Sequence, residues 1–60
     1  MILAVRKNDG AVFEVVGCDA FYPTSWLEDL NGNRFWVKDS ELKIIFDKDV
    51  KFKEYLEQRV

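Results

Sequence analysis

The dipeptide Asn31-Gly32 constrains the fold of this chain more than any other feature. It lies between two runs rich in apolar and aromatic residues, 26–30 and 33–38. A two-residue type I′ turn requires positive φ at both central positions, and Asn followed by Gly adopts such φ values most readily. The sequence therefore predicts a β-hairpin in which Trp26 faces Val37.

In that register alternate side chains fall on two faces of the hairpin. One face carries Trp26, Leu30, Phe35 and Val37, together with Glu28, and we expect it to belong to the core. The other face carries Leu27 and Trp36. Trp36 is therefore expected to lie partly outside the core.

A second turn signal, Asn8-Asp9-Gly10, separates two apolar runs between Ile2 and Val16. A three-residue loop with a left-handed glycine fits this spacing and would pair Val5 with Phe13. The following segment, 17–25, lacks clear periodicity and contains a proline, which disfavours a central strand. It is interpreted as a loop.

The last third of the chain changes character twice. Asp39-Ser40-Glu41 is typical of a single 3₁₀ turn, and the apolar run 42–46 after it predicts a further strand. Residues 47–59 predict an amphipathic helix of about three turns, which Asp47 or Asp49 can cap. The apolar positions at near-helical spacing are Phe52, Tyr55, Leu56 and Val60.

Length and composition restrict the function classes. A chain of 60 residues forms one domain, 1–60, and its net charge of −2 disfavours a main role in phosphate neutralisation. With one cysteine and no histidine, neither a disulfide nor a metal site or cofactor is expected. Five apolar residues before Arg6 are too few for a signal peptide or a membrane span, which predicts a cytoplasmic protein with no membrane association.

The segment Arg34–Ile45, RFWVKDSELKII, resembles the strand, 3₁₀ turn and strand that end the small SH3-like barrels. The resemblance covers about residues 2–46. It implies a mainly β protein, a five-stranded antiparallel SH3-like barrel, followed here by the helix at 47–59. The short turn at 8–10 differs from the long first loop of peptide-binding SH3 domains, so a polyproline ligand is not expected. In size and composition the chain also resembles small phage and prophage accessory proteins of Gram-positive bacteria.

The sequence offers little for catalysis. Glu28 and Asp29 are adjacent, and neighbouring strand residues point to opposite faces, so they cannot act as a carboxylate pair. Cys18 has no histidine to activate it and is expected to be a small buried hydrophobe. We therefore predict a protein that is not an enzyme.

Aromatic residues near basic ones form the candidate binding set. Loops on rigid scaffolds carry many binding residues, and aromatic side chains are enriched at interface hot spots. The candidate residues are Phe21, Tyr22, Trp36, Arg34 and Lys38. Three structural alternatives stay open: Phe21 closes the end of the barrel, Trp26 belongs to the core, and Trp36 packs under the C-terminal helix.

Three functions fit these features. The first is a non-enzymatic protein-binding module, encoded by a phage or prophage, whose partner is another protein. The second is a domain that binds single-stranded nucleic acid, since small barrels stack bases on strand aromatics beside basic residues. Its residues would be Arg6, Arg34, Lys38 and Lys43 around Trp36. The third is a homodimer that forms through an exposed edge of the first or fifth strand.

Overall fold

A computed structural model describes residues 1–59 and has five antiparallel strands in one sheet, followed by one α-helix. The strands are β1 (Ile2–Arg6), β2 (Val12–Asp19), β3 (Thr24–Glu28), β4 (Arg34–Lys38) and β5 (Leu42–Ile45). A 3₁₀ turn at Asp39–Glu41 precedes β5, and α1 spans Val50–Arg59. The predicted mainly β class, the 3₁₀ turn and the C-terminal helix are confirmed.

The hydrogen-bonded strand order is β4-β3-β2-β1-β5. Each strand pairs with the next along the chain until β4, after which the chain returns and β5 pairs with β1. The sheet is open in this order, with β4 and β5 as its edges, and closure into a barrel stays a prediction. Since β1 is paired on both sides, the hypothesis that a β1 edge mediates self-association is wrong.

The β3–β4 loop differs from the predicted two-residue turn. The Asp29 N–H donates to the Asn33 carbonyl at 2.9 Å, which leaves a three-residue loop between them. Within this loop only Gly32 has a positive φ, at 84°. The Asp29 carboxylate accepts the N–H groups of Asn31 and Asn33 at 2.8 and 2.9 Å, so a side chain before the Asn-Gly pair determines the loop.

The longer loop changes the register of this hairpin by one residue. Trp26 lies opposite Trp36 and Leu27 opposite Phe35, instead of the predicted pairing of Trp26 with Val37. A shift of one residue exchanges the two faces of one strand relative to the other. Leu27, predicted to face outward, is fully buried, and Trp26 leaves the face that was predicted to be the core. Leu30, predicted for that core face, lies in the loop and is 50% exposed.

The first hairpin also differs by one residue from its prediction. The Arg6 N–H donates to the Ala11 carbonyl at 2.8 Å and closes a four-residue loop. Val5 consequently pairs with Val12, and the predicted pairing with Phe13 is wrong.

The predicted loop 17–25 is also mostly strand. β2 continues to Asp19 through an irregularity between Val15 and Gly17, and β3 begins at Thr24. Only residues 20–23 connect the two strands.

Two buried clusters lie on opposite faces of the sheet. The inner face carries Ala4, Phe13, Leu27 and Leu42, with Phe35 and Val37 packed against them. On the outer face, Tyr55 of α1 packs against Leu3 and Ile45. The Asp49 carboxylate accepts the Lys51 N–H at 2.8 Å and caps the start of α1. Val60, the last predicted apolar position of the helix, lies outside the described residues.

Candidate aromatic binding surface

Strand β4 separates its side chains into two sets by simple alternation. Phe35 and Val37 are half-buried and pack against the inner cluster. Arg34, Trp36 and Lys38 point to the outer face and are exposed, with Trp36 at 54%. Three of the predicted binding residues therefore lie in one line along the edge of the sheet.

Trp36 is paired with a second tryptophan from the neighbouring strand. The ring centroids of Trp26 and Trp36 are 4.9 Å apart with an interplanar angle of 37°. Trp26 also lies over Gly17 of β2, where a Cβ atom would be 3.5 Å from the Cβ of Trp26. Gly17 and Trp36 are the cross-strand partners of Trp26 on its two sides, so Trp26 lies between them in the sheet.

Basic residues lie on either side of Trp36 along the strand. The Arg34 Nε donates to the Glu28 carboxylate at 2.9 Å, a pair that is largely exposed. Lys38 has no carboxylate within ion-pair distance among residues 1–59. The charge of Arg34 is thus partly compensated by its neighbour, whereas the Lys38 ammonium is available to a partner.

The β2–β3 loop holds two further aromatic residues in solvent. The Asp19 carboxylate accepts the N–H groups of Phe21 and Tyr22 at 2.9 and 3.3 Å, and Thr24 Oγ1 donates to the Tyr22 carbonyl at 3.0 Å. Phe21 is 85% and Tyr22 67% exposed. The alternative that Phe21 closes the end of the barrel is therefore wrong.

The loop meets β4 beside Lys38. The Asp39 N–H donates to the Pro23 carbonyl at 2.9 Å, and Thr24 lies directly opposite Lys38 in the sheet. A shallow cavity of about 270 Å³ lies there, lined by Tyr22, Pro23, Thr24, Lys38 and Ser40. This contact joins the loop to the strand. We call the resulting band the aromatic surface: Phe21, Tyr22, Trp26, Arg34, Trp36 and Lys38.

The sequence prediction missed Trp26 as a member of this surface, because the predicted register placed it in the core. The signal that identifies it is Asp29, whose carboxylate lengthens the loop and so moves Trp26 opposite Trp36. The alternative that Trp36 packs under α1 is wrong, since Tyr55 of the helix packs on Leu3 and Trp36 is exposed.

The structure does not bring the nucleic-acid set together. Arg6 lies on the inner face, where its guanidinium is 5.0 Å from the Phe13 ring centroid and pairs with Asp9. Lys43 is on β5, at the opposite edge of the sheet from Trp36. Arg34 and Lys38 alone remain beside the tryptophan.

Groups with shifted pKa values lie in the two hairpin loops and under the helix. A hydrogen bond from Arg6 lowers the pKa of Asp9 to about 2. Burial opposes the shift at Asp29, but hydrogen bonds from Asn33, Asn31 and Gly32 outweigh it and lower that pKa. Burial raises the pKa of Tyr55. Each shift follows from a contact that supports the fold.

Three further findings concern the cysteine, metal ligands and membrane-spanning helices. Cys18 is exposed, so the expectation that it is buried is wrong. Within residues 1–59, no group of three or more His, Cys, Asp or Glu side chains is placed to hold a metal ion. Over the same residues, no helix has the length and apolar character needed to cross a membrane.

Comparisons with protein-family models, with curated proteins and with solved structures each found no match.

Proposed function

We propose that this protein is a small non-enzymatic binding module that recognises another protein through the aromatic surface. The observation that carries the proposal is the exposure of aromatic side chains on two segments whose backbones are hydrogen-bonded to each other: Phe21 and Tyr22 in the loop, and Trp36 on the strand. Tyr and Trp are the residue types that contribute most at protein interfaces, because they bury a large area and lose few rotamers.

The aromatic surface is preorganised in the free protein. Asp19 fixes the loop backbone, and the Trp26 ring packs beside Trp36 on a paired strand. Binding by a preorganised surface loses less conformational entropy than binding by a mobile one. A small preorganised interface can therefore bind more tightly than a mobile one of the same size.

The charges around the surface favour a protein ligand over a nucleic acid. Of the four basic residues that the nucleic-acid hypothesis needs, Arg6 and Lys43 lie elsewhere, and the chain carries a net charge of −2. Strong phosphate binding depends on several basic side chains acting together. Two cations flanking an aromatic residue are better suited to acidic side chains of a protein.

The proposal includes a finer fold assignment, an SH3-like barrel. The return of β5 to pair with β1, after a 3₁₀ turn that follows β4, supports it. On the resemblance in size and composition, we extend the proposal to a cytoplasmic accessory protein of phage or prophage origin.

The test is affinity capture from a Gram-positive lysate, run with and without nuclease treatment, with three baits. These are the wild-type chain, the double variant Tyr22→Ala/Trp36→Ala, and Phe46→Ala. Phe46 is 68% exposed and follows β5 at the other edge, so it is a matched control for the loss of an exposed aromatic residue. We expect a protein retained by the wild type and by Phe46→Ala but lost by the double variant.

Equal capture by the double variant would contradict the proposal, as would binding that disappears on nuclease treatment. Circular dichroism of each bait separates loss of binding from loss of fold.

A further inference from the structure

Backbone hydrogen bonds at the two ends of the β3–β4 hairpin determine which groups of β4 face away from the sheet. At one end the Asp29 N–H donates to the Asn33 carbonyl, and at the other the Asp39 N–H donates to the Pro23 carbonyl, both at 2.9 Å. All four residues have odd numbers and belong to one register. In an antiparallel ladder, hydrogen-bonded pairs alternate with pairs that are not hydrogen-bonded. The odd-numbered residues of β4 therefore bond to β3.

The even-numbered residues of β4 have the opposite orientation. The N–H and C=O groups of Arg34, Trp36 and Lys38 point away from β3, towards the open edge. The side chains of the same residues are exposed on the outer face. At every second residue, about 6.6 Å apart, the edge thus offers an exposed side chain and a backbone donor and acceptor that no group of residues 1–59 pairs with.

The side chains along this edge specify the chemistry of an added strand. A strand laid beside β4 places one residue directly opposite each of Arg34, Trp36 and Lys38, and opposite charges stabilise such cross-strand pairs. We propose that β4 binds an extended acidic segment of a partner protein as a sixth strand. An acidic residue lies opposite Arg34 and another opposite Lys38, with an apolar residue against Trp36. This inference rests on the protein-binding function proposed above.

A second copy of the chain does not place acidic residues opposite Arg34 and Lys38. If β4 paired with β4 of another copy about Trp36, Arg34 would lie opposite Lys38 of that copy, and like charges in that position are destabilising. The other edge, β5, consists of Leu42–Ile45 and contains no acidic residue. The charges therefore favour a different protein as the occupant.

The first test uses a capped peptide in which threonine alternates with glutamate, valine and glutamate: Thr-Glu-Thr-Val-Thr-Glu-Thr. Titration into the full chain is followed by amide NMR. We expect shifts and slower hydrogen exchange at Arg34, Trp36 and Lys38, because these N–H groups gain acceptors. A peptide with lysines in place of glutamates should bind more weakly. Absence of binding, equal binding of the lysine peptide, or unchanged exchange at these amides would overturn the inference.

Lys38 provides a sharper test of the backbone contact. Its φ is −63°, the value that proline requires, and its N–H faces the open edge. Lys38→Pro removes the charge and the donor, whereas Lys38→Ala removes the charge alone. We expect the proline variant to bind the glutamate peptide about fivefold more weakly than the alanine variant, the effect of one hydrogen bond.

Equal affinity of the two variants would overturn strand addition. It would leave the proposed function standing, since the capture experiment with the Tyr22→Ala/Trp36→Ala variant tests that function separately. Amide spectra of both free variants verify that the hairpin is intact.

Discussion

The outer face of the sheet has a covered half and a bare half. One row of cross-strand partners runs across all five strands: Ile45, Leu3, Glu14, Glu28 and Arg34. Over β5 and β1 this face is buried beneath Tyr55 of α1, while over β3 and β4 it ends in the Trp26–Trp36 pair, in which Trp26 is half-buried and Trp36 is exposed. A chain of 60 residues has little apolar surface to spare for its core. Under the proposed function, Trp36 on the bare half is the apolar surface that a partner would cover.

The strongest way to test this contrast is to truncate one aromatic residue in each half. Tyr55→Ala should lower the free energy of unfolding by about 3 kcal/mol, because it opens a cavity against Leu3 and Ile45. Trp36→Ala should cost about 1 kcal/mol or less, since only its contact with Trp26 is lost. Urea unfolding measures both. Similar losses would mean that the bare half contributes to stability as much as the covered half.

The same contrast explains which parts of the fold could be predicted from the sequence. Helical spacing of Phe52 and Tyr55 identified α1, and the Asp-Ser-Glu run identified the 3₁₀ turn. Both hairpins were predicted, yet each register was wrong by one residue. The loop lengths depend on hydrogen bonds that the Asp9 and Asp29 carboxylates accept from nearby N–H groups, and apolar periodicity does not contain that information.

It was easier to predict that the candidate residues are exposed than to predict which residues form the site. Trp36 was placed outside the core, and the loop residues Phe21 and Tyr22 were proposed as contacts; all three are exposed. Trp26 was missed because its position depends on the register. Which residues face out along one strand follows from alternation, whereas which strand positions meet depends on the loop.

Loop glycines give the second comparison. Gly10 belongs to the loop beside α1, and Gly32 belongs to the β3–β4 hairpin of the bare half, called the bare hairpin below. Their φ values are 73° and 84°. Replacing either with alanine should cost about 1 kcal/mol, because L-residues disfavour this conformation. A Cβ at Gly10 would be 3.4 Å from Lys51 Nζ, an ordinary contact, and one at Gly32 would meet nothing within 4 Å. Urea unfolding should give equal losses; a larger loss at Gly10 would show that α1 restrains its loop.

The loop carboxylates give the third comparison, through pH. The pKa of Asp9 is lowered to about 2, below its unfolded value of about 4, so the contribution of Asp9 to stability is complete above pH 4. It is lost as the pH falls through 2. NMR titration of the carboxyl carbons should give a midpoint near 2 for Asp9 and below the ordinary value for Asp29. Asp9→Asn should flatten the acid branch of the stability curve, and an unchanged branch would contradict this assignment.

The smallest expected difference concerns two ion pairs on the same outer face. Arg59 of α1 pairs with Glu14, and Arg34 pairs with Glu28 on the bare hairpin. Glu14 and Glu28 lie directly opposite each other, so each arginine also offsets the repulsion between the two carboxylates.

Double-mutant cycles should give the larger coupling for Arg59, which also lies 5.9 Å from the Tyr55 ring centroid and so adds a second favourable contact. Both couplings should weaken in ~1 M salt, where the screening length is about 3 Å. A coupling that is stronger for Arg34 would instead indicate that the bare hairpin is held by its own charges. In that case Arg34 would be less free to exchange Glu28 for an acidic residue of a partner.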